Sequence, residues 1–384
     1  MVKQSFHAVE KTNIEIQAED LVPLIEEDTP SSKKGSEMRG CRTIVKDVLG
    51  ALIHTIWGWS GPGTLIAVLC YYHLGGGVLL FLIVFITCLG LLYNGQDLLL
   101  YYPDQPDSSR VFVPSPSVVG IHSSQYENIF IQTADNVNIN ALLMKQAPSV
   151  IPLVPTILFF HGNAGNIGHR LINAAIFHSL CHCNVLLVEY RGYGKSDGDP
   201  YEEGMYKDAQ AALDYLHNRS DINSNFIFVF GRSLGGAVAI DLASKPRNRG
   251  KIRGLILENT FTSIPDMGRH LFRLDLIKWI PLFIVKNKFF SMSKISRVRM
   301  PTLFISGAAD ELVPPDMMKI LFERCGGAKK MAVFENGSHN DTWQRAGYCE
   351  TVKDFLNRYS GVSKQPSTSG QPVEPPSPLA TTPH

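Results

Sequence analysis

The chain has 384 residues, with 36 Lys and Arg against 35 Asp and Glu, a formal net charge of +1, and 45% hydrophobic residues. The near balance of charge, with no long basic run, leaves no electrostatic footprint for a nucleic acid, and the length suits one α/β domain with an anchor and two polar tails. Seven cysteines (Cys41, Cys70, Cys88, Cys181, Cys183, Cys325 and Cys349) contain no C-x-x-C pair and no Cys–His spacing that would make a zinc site. They read as ordinary buried thiols, with a Cys325–Cys349 bridge as the alternative in an oxidising compartment.

Residues 1–47 mix charges, Ser and Pro with little apolar periodicity and cannot bury enough surface to offset the entropy of ordering, so a disordered head is expected. No Asp, Glu, Lys or Arg occurs between Asp47 and Asp97, which marks residues 48–96 as a hydrophobic anchor. Its main span covers about residues 75–93 (GGGVLLFLIVFITCLGLLY), close to the roughly twenty apolar residues a bilayer core requires. A buried helix of the folded domain is the competing reading. This run is apolar on every face, wider than the single stripe a surface helix shows. The preceding stretch, Val48 to Leu74, is broken by Gly58, Gly61, Pro62 and Gly63, and is a re-entrant segment, an interfacial segment or a first span.

Arg39, Arg42 and Lys46 precede the apolar block while Asp97, Asp104 and Asp107 follow it, which places the N-terminus in the cytosol. A single-pass type II arrangement would then put the following domain in a lumen or outside the cell, and a second span would return it to the cytosol. No cleavable signal peptide opens the sequence. Three N-x-S/T sequons, at Asn218, Asn336 and Asn340, are compatible with the lumenal side.

From about residue 115 to 360, short β-rich runs alternate with helical stretches. The expected strands are Asn128–Gln132, Ile139–Met144, Thr156–Phe160, Val185–Glu189, Phe226–Phe230, Leu255–Leu257, Thr302–Ile305 and Met331–Phe334. Met205, Ala209, Ala212, Leu213 and Leu216 recur at helical spacing, as a helix packed on a sheet requires. Near-continuous apolar strands separated by helices predict an α/β fold, a mostly parallel eight-stranded sheet covered on both faces, with its site at the carboxyl ends of the strands. Residues 361–384, rich in Pro, Ser and Thr, read as a disordered tail.

Four strand ends carry chemistry. After Phe226–Phe230 comes Gly231, Arg232, Ser233, Leu234, Gly235, Gly236 and then a helical run, Ala237 to Ala243: the G-x-S-x-G pattern in a strand, sharp turn and helix. That turn exposes a serine hydroxyl beside a helix N-terminus, where backbone N–H groups stabilise negative charge. The bland reading is a serine that merely caps the helix. After Thr156–Phe160 comes His161, Gly162, Asn163, Ala164, Gly165, Asn166, a glycine-containing loop suited to a second oxyanion donor. The two donors are assigned to the backbone N–H groups of Leu234 and Asn163, with His161 as a structural histidine of the loop.

An acid and then a histidine should follow the serine. Asp310 stands after Thr302–Ile305 and His339 after Met331–Phe334. The acid would keep one imidazole nitrogen protonated so that the other accepts the serine proton. A turn role for Asp310, with Glu311 as competing acid, and a loop role for His339 are the alternatives. Arg191 to Ser196 reads as a structural glycine-rich loop at the mouth. Residues 261–293, rich in Leu, Phe, Ile and including Trp279, sit where a lid would lie. They would form a wall for an acyl chain, complete the core, or dip towards the membrane.

HGNAGN, YRGYGKS, GRSLGG, SGAADELVPP and SHNDTW together resemble the BEM46-like branch of the α/β-hydrolases, over roughly Leu65 to Arg358. The resemblance implies the α/β-hydrolase fold, a serine hydrolase of single-pass type II topology, and roles for Ser233, Asp310 and His339. Protein depalmitoylases among such relatives imply an ester or thioester of a fatty acyl group, carried by a small molecule, a lipid or a protein. The reading is therefore a membrane-anchored serine hydrolase whose partners are the bilayer and an acylated substrate, needing no metal or organic cofactor. The alternatives are a serine peptidase or amidase on the same fold, and a non-catalytic binding scaffold.

Overall fold

The computed structural model describes residues 62–73, 77–272, 281 and 284–360. The expected head, tail and most of the first half of the anchor, with Cys41 and Trp279, lie outside them. Among the described residues two apolar helices come first, α1 (Pro62–His73) and α2 (Gly77–Leu100), and they pack on each other. At 24 residues α2 is about 36 Å long, enough for a hydrocarbon core of about 30 Å. Its apolar stretch has a mean hydropathy of 2.3 and none of it is buried in the rest of the fold. With 12 residues, α1 is too short to cross by itself.

Eight strands follow: β1 (Tyr126–Gln132), β2 (Asn138–Met144), β3 (Thr156–Phe160), β4 (Asn184–Val188), β5 (Ile227–Arg232), β6 (Gly254–Glu258), β7 (Thr302–Gly307) and β8 (Lys329–Phe334). They form one sheet in the order β1-β2-β4-β3-β5-β6-β7-β8. β1 and β2 are an antiparallel hairpin and β2 runs antiparallel to β4; all other pairs are parallel. Every residue of β3 to β7 is buried, whereas the edge strand β8 is exposed at Lys329, Lys330 and Val333. This is why the inner strands read as unbroken apolar runs.

Strand periodicity divides the core in two. Leu158, Phe160, Leu186, Val188 and Val229 face α4 (Glu202–His217) and α5 (Leu234–Ser244). Ile157, Phe159, Val185, Leu187, Phe228 and Phe230 face α3 (Leu171–Leu180) and the C-terminal helix Tyr348–Ser360. On the second face the rings of Phe159 and Phe230 lie 4.5 Å apart and Phe177 meets Phe230 edge-on at 5.2 Å. Each such side chain contributes about 1.5–3 kcal/mol by leaving water. The remaining α-helices among the described residues are α6 (Ile264–Phe272), α7 (Ser291–Lys294), α8 (Pro315–Arg324) and α9 (Tyr348–Ser360).

Three expectations need correction. Helix α5 starts at Leu234 rather than Ala237, so Gly235 and Gly236 are helical despite glycine's poor propensity. Packing overrides propensity here: a Cβ on Gly235 would lie 2.1 Å from the carbonyl oxygen of Phe160. The apolar helix runs on past Tyr93 to Leu100, and its last turns dock on the domain. Cys325 and Cys349 are free thiols, as are Cys70, Cys88, Cys181 and Cys183. Cys70 and Cys88 are not buried, because they sit on the exposed apolar helices.

Candidate active site

Ser233 occupies the turn between β5 and α5 with φ 54° and ψ −119°, a backbone conformation that costs an L-residue about 1–3 kcal/mol. Its surroundings hold it there. Its N–H donates to Glu258 O at 3.0 Å, and its own carbonyl accepts from Gly236 N at 2.9 Å and Thr260 Oγ1 at 2.7 Å. The glycines at either side are steric requirements, since a Cβ on Gly231 would lie 2.3 Å from the carbonyl oxygen of Gly235. Ser233 is 9% exposed and follows directly on the carboxyl end of β5.

Asp310 and His339 converge on it from the ends of β7 and β8. Asp310 Oδ2 lies 2.8 Å from His339 Nδ1, and His339 Nε2 lies 3.1 Å from Ser233 Oγ. Asp310 Oδ1 accepts from the N–H groups of Leu312 at 2.9 Å and Val313 at 2.8 Å, so the carboxylate is fixed on both oxygens. The neighbouring Glu311 is exposed, which separates the two acids that sequence alone left side by side. The loops are joined by Ala309 N donating to Gly337 O at 2.9 Å. A Cβ on Gly307 would fall 2.4 Å from that same Gly337 oxygen.

On the other side of Ser233 lies the loop after β3. Gly162 lies beside the serine, and a Cβ there would make an ordinary contact with Ser233 Cβ at 3.6 Å. Leu234 is the first residue of α5, where helix N–H groups have no intrahelical acceptor, and Asn163 follows Gly162. His161 is fully buried, with Nδ1 2.7 Å from Gly162 O and Nε2 3.1 Å from Glu189 Oε1. Glu189 Oε2 accepts from Ile167 N at 3.0 Å, and Tyr190 OH donates to His161 O at 3.0 Å. His161 is thus bound into the loop's scaffold and does not face the serine. Gly194, at φ 46°, passes over Glu189, where any Cβ would be 2.2 Å from Oε2.

Two residues escaped the sequence reading. Arg232, the variable residue before the serine, donates from Nη2 to His339 O at 2.7 Å and to Asn340 Oδ1 at 3.3 Å. Its Nε faces Glu258 Oε1 at 3.4 Å, and Tyr348 OH donates to Glu258 Oε2. Burial pushes the Glu258 carboxyl up, against the pull of Arg232 and the Tyr348 hydroxyl. Asn259, at φ 46°, donates from Nδ2 to Ser338 O at 3.2 Å and Thr342 Oγ1 at 3.1 Å, and accepts from Gly307 N at 2.8 Å. The one available signal was position: Arg232 adjoins the serine, and Asn259 stands at the carboxyl end of β6, the strand paired with β5.

Residues 153–294 match the Hydrolase_4 family, described as serine aminopeptidase, S33. The chain is 43% identical over 285 residues to Protein bem46 of Schizosaccharomyces pombe, an alignment that covers 72% of this chain and 90% of bem46. The chain belongs to the BEM46-like branch of the α/β-hydrolases. A further relative, described as an uncharacterized membrane protein of Saccharomyces cerevisiae, is 37% identical over 69% of this chain and 90% of its own. The esterase Pf2001 of Pyrococcus furiosus superposes with a TM-score of 0.53 at 21% identity, covering 65% of this chain and 98% of the esterase, and shares the fold. Among the described residues of this BEM46-like hydrolase, no three His, Cys, Asp or Glu side chains gather as metal ligands. The segment after β6 contributes Phe261, Met267 and Phe289 to the core, while Leu271 on α6 is 49% exposed.

Proposed function

We infer that this chain is a membrane-anchored serine hydrolase that cleaves an acyl ester or thioester. The observation that carries the reading is the unbroken relay from Asp310 Oδ2 through the His339 ring to Ser233 Oγ, ending on a serine held at positive φ. With Nδ1–H directed at Asp310, Nε2 is left to accept the hydroxyl proton. Ser233 Oγ bonds to the substrate carbonyl carbon as its proton moves to Nε2. The N–H groups of Leu234 and Asn163 receive the oxyanion. Collapse breaks the bond to the alkoxide or thiolate, which takes the proton from His339. Water then gives a proton to His339, attacks the acyl-enzyme and releases the acid, and Ser233 regains its hydrogen.

The anchor in this reading is α2, supported by its length, its exposed apolar surface and the description of the yeast relative. Arg39, Arg42 and Lys46 before it favour a cytosolic N-terminus and a lumenal or extracellular catalytic domain. The family description as a serine aminopeptidase favours a second reading, amide cleavage by the same three residues.

The test is labelling of the full chain in membranes with a fluorophosphonate, beside Ser233→Ala and His339→Ala, with folding of each checked by circular dichroism. Loss of labelling in both variants is expected. A folded wild type that never labels would make the protein a binding scaffold. Preference for aminoacyl amides over acyl esters and thioesters would move it to the peptidases.

A further inference from the structure

The last two turns of α2 are not a free stalk. Gln96 Nε2 donates to Ile284 O at 2.8 Å while Gln96 Oε1 accepts from Lys286 N at 2.9 Å, and Asp97 pairs with Lys286 and accepts from Asn287 Nδ2. Tyr101 OH donates to Asn287 Oδ1 at 3.0 Å, and the same oxygen accepts from Glu202 N at 3.0 Å. At the end of the helix, Leu100 O accepts from Asn163 Nδ2, and Asn163 Oδ1 accepts from Tyr193 OH at 2.9 Å. Tyr102 then bridges to Ala164, and its carbonyl accepts from Gly165 N at 3.3 Å. The apolar helix therefore ends directly on the oxyanion loop and on the segment following β6.

Beside this junction, Asn166 Nδ2 donates to the carbonyls of Ser109 and Phe112, both at 2.8 Å, and so fixes a short loop. That loop turns Val111 (83% exposed) and Phe112 (62% exposed) outward at the pole of the sheet where the helix arrives. Leu153, also exposed, precedes β3 and lies at the opposite pole. A five-residue parallel strand separates the two ends by about 17 Å before loops are added.

We propose that the catalytic domain is clamped to the exit of its own span with the mouth of the site against the bilayer, Val111 and Phe112 dipping into it, so that the substrate is an acyl ester or thioester resident in the membrane. The proposal rests on the reading of α2 as a span and of Ser233 as the nucleophile, and it names where the acyl chain comes from. A span that ends on the oxyanion loop brings that loop to the interface, and two large apolar side chains placed in water beside it would otherwise lose the free energy of burial. The acyl chain then need leave the bilayer only as far as its carbonyl.

The depth test uses the full chain in phosphatidylcholine vesicles, with Val111→p-benzoylphenylalanine beside Leu153→p-benzoylphenylalanine. Irradiation is expected to crosslink position 111 to phospholipid and leave position 153 unlinked. No lipid adduct at 111, or equal adducts at both, overturns the orientation whatever the enzyme's activity. Release of the chain by alkaline carbonate would overturn the span itself.

The clamp test uses Gln96→Ala combined with Asp97→Ala, neither of which touches the reacting groups. Turnover of a vesicle-resident long-chain thioester should fall at least about tenfold, as misplacement of a reacting carbonyl costs. Hydrolysis of a water-soluble short-chain ester and fluorophosphonate labelling should stay near wild type. Equal loss on both substrates, or no loss on either, overturns the clamp. A wild type that neither labels with fluorophosphonate nor consumes either substrate would instead sink the nucleophile reading, with the crosslinking result still deciding the orientation.

Discussion

Arg232 Nη2 donates to the carbonyl oxygen of His339 at 2.7 Å, so the residue just before the candidate nucleophile also holds the candidate base. Arg232 is 5% exposed and its charge faces the fully buried Glu258. One side chain thereby couples the β5 turn, β6 and the β8 loop. Arg232→Ala should lower kcat by about tenfold to a hundredfold with KM little changed, because misplacing a base by about 1 Å costs that much. It should also destabilise the fold by about 3–5 kcal/mol by leaving Glu258 without its cation. Steady-state kinetics and urea unfolding separate the two effects; an unchanged kcat in folded protein would remove Arg232 from any positioning role.

Asp310→Asn keeps the volume and the bonds from Leu312 and Val313, yet presents the His339 ring with an amide in place of an anion. The favoured tautomer reverses, and kcat should drop by about 10⁴-fold. Glu311→Gln, at an exposed position, should leave kcat near wild type. Equal losses in the two variants would refute the assignment of the acid.

Gly235→Ala should be far worse than its single methyl suggests. The new Cβ would lie 2.1 Å from Phe160 O, a backbone atom of the central strand, and about 3 kcal/mol or more of stability should be lost. Gly162→Ala meets Ser233 Cβ at an ordinary 3.6 Å and should fold normally. Thermal melts of the pair provide the check, and comparable melting of both would contradict the steric argument.

Stability should depend on acid through Asp135. The Arg191 guanidinium, bonded to both of its oxygens at 2.9 Å, holds this carboxyl well below the usual carboxylate range. A depressed folded pKa contributes stability that is complete above the unfolded value of about 3.9 and is lost as pH falls through the folded value. Urea titrations should therefore show wild type exceeding Asp135→Asn at neutral pH, with the gap narrowing only below about pH 4. A gap that widened on acidification would reverse the sign.

Among the three sequons, Asn218 is exposed at the end of α4, and Asn336 is exposed after β8. Asn340 is exposed as well, but its Oδ1 accepts from Arg232 beside His339. If the domain is lumenal, glycopeptide mass spectrometry should find Asn218 modified and Asn340 bare. Full occupancy of both Asn336 and Asn340 in active protein would defeat the expectation.

The sequence makes the eight strands legible, because inner strands buried on both faces must be apolar along their length and appear as runs between turn residues. It also placed Ser233, Asp310 and His339 after the fifth, seventh and eighth of them, since the parallel sheet puts all those strand ends at one pole. Boundaries were less legible: β5 continues through Arg232 because Glu258 of β6 lies in register with it, a partner 26 residues away that no local pattern records. Asp310 and Glu311 are neighbours in sequence, and it is folding that brings Asp310 to His339 of the β8 loop and leaves Glu311 exposed. The same is true of Arg232 and Asn259, whose bonds to the His339 loop span 79 to 108 residues. It is true again of the junction between Leu100 and Asn163, where a helix readable as an apolar run becomes a support of the site through contacts that hydropathy cannot express.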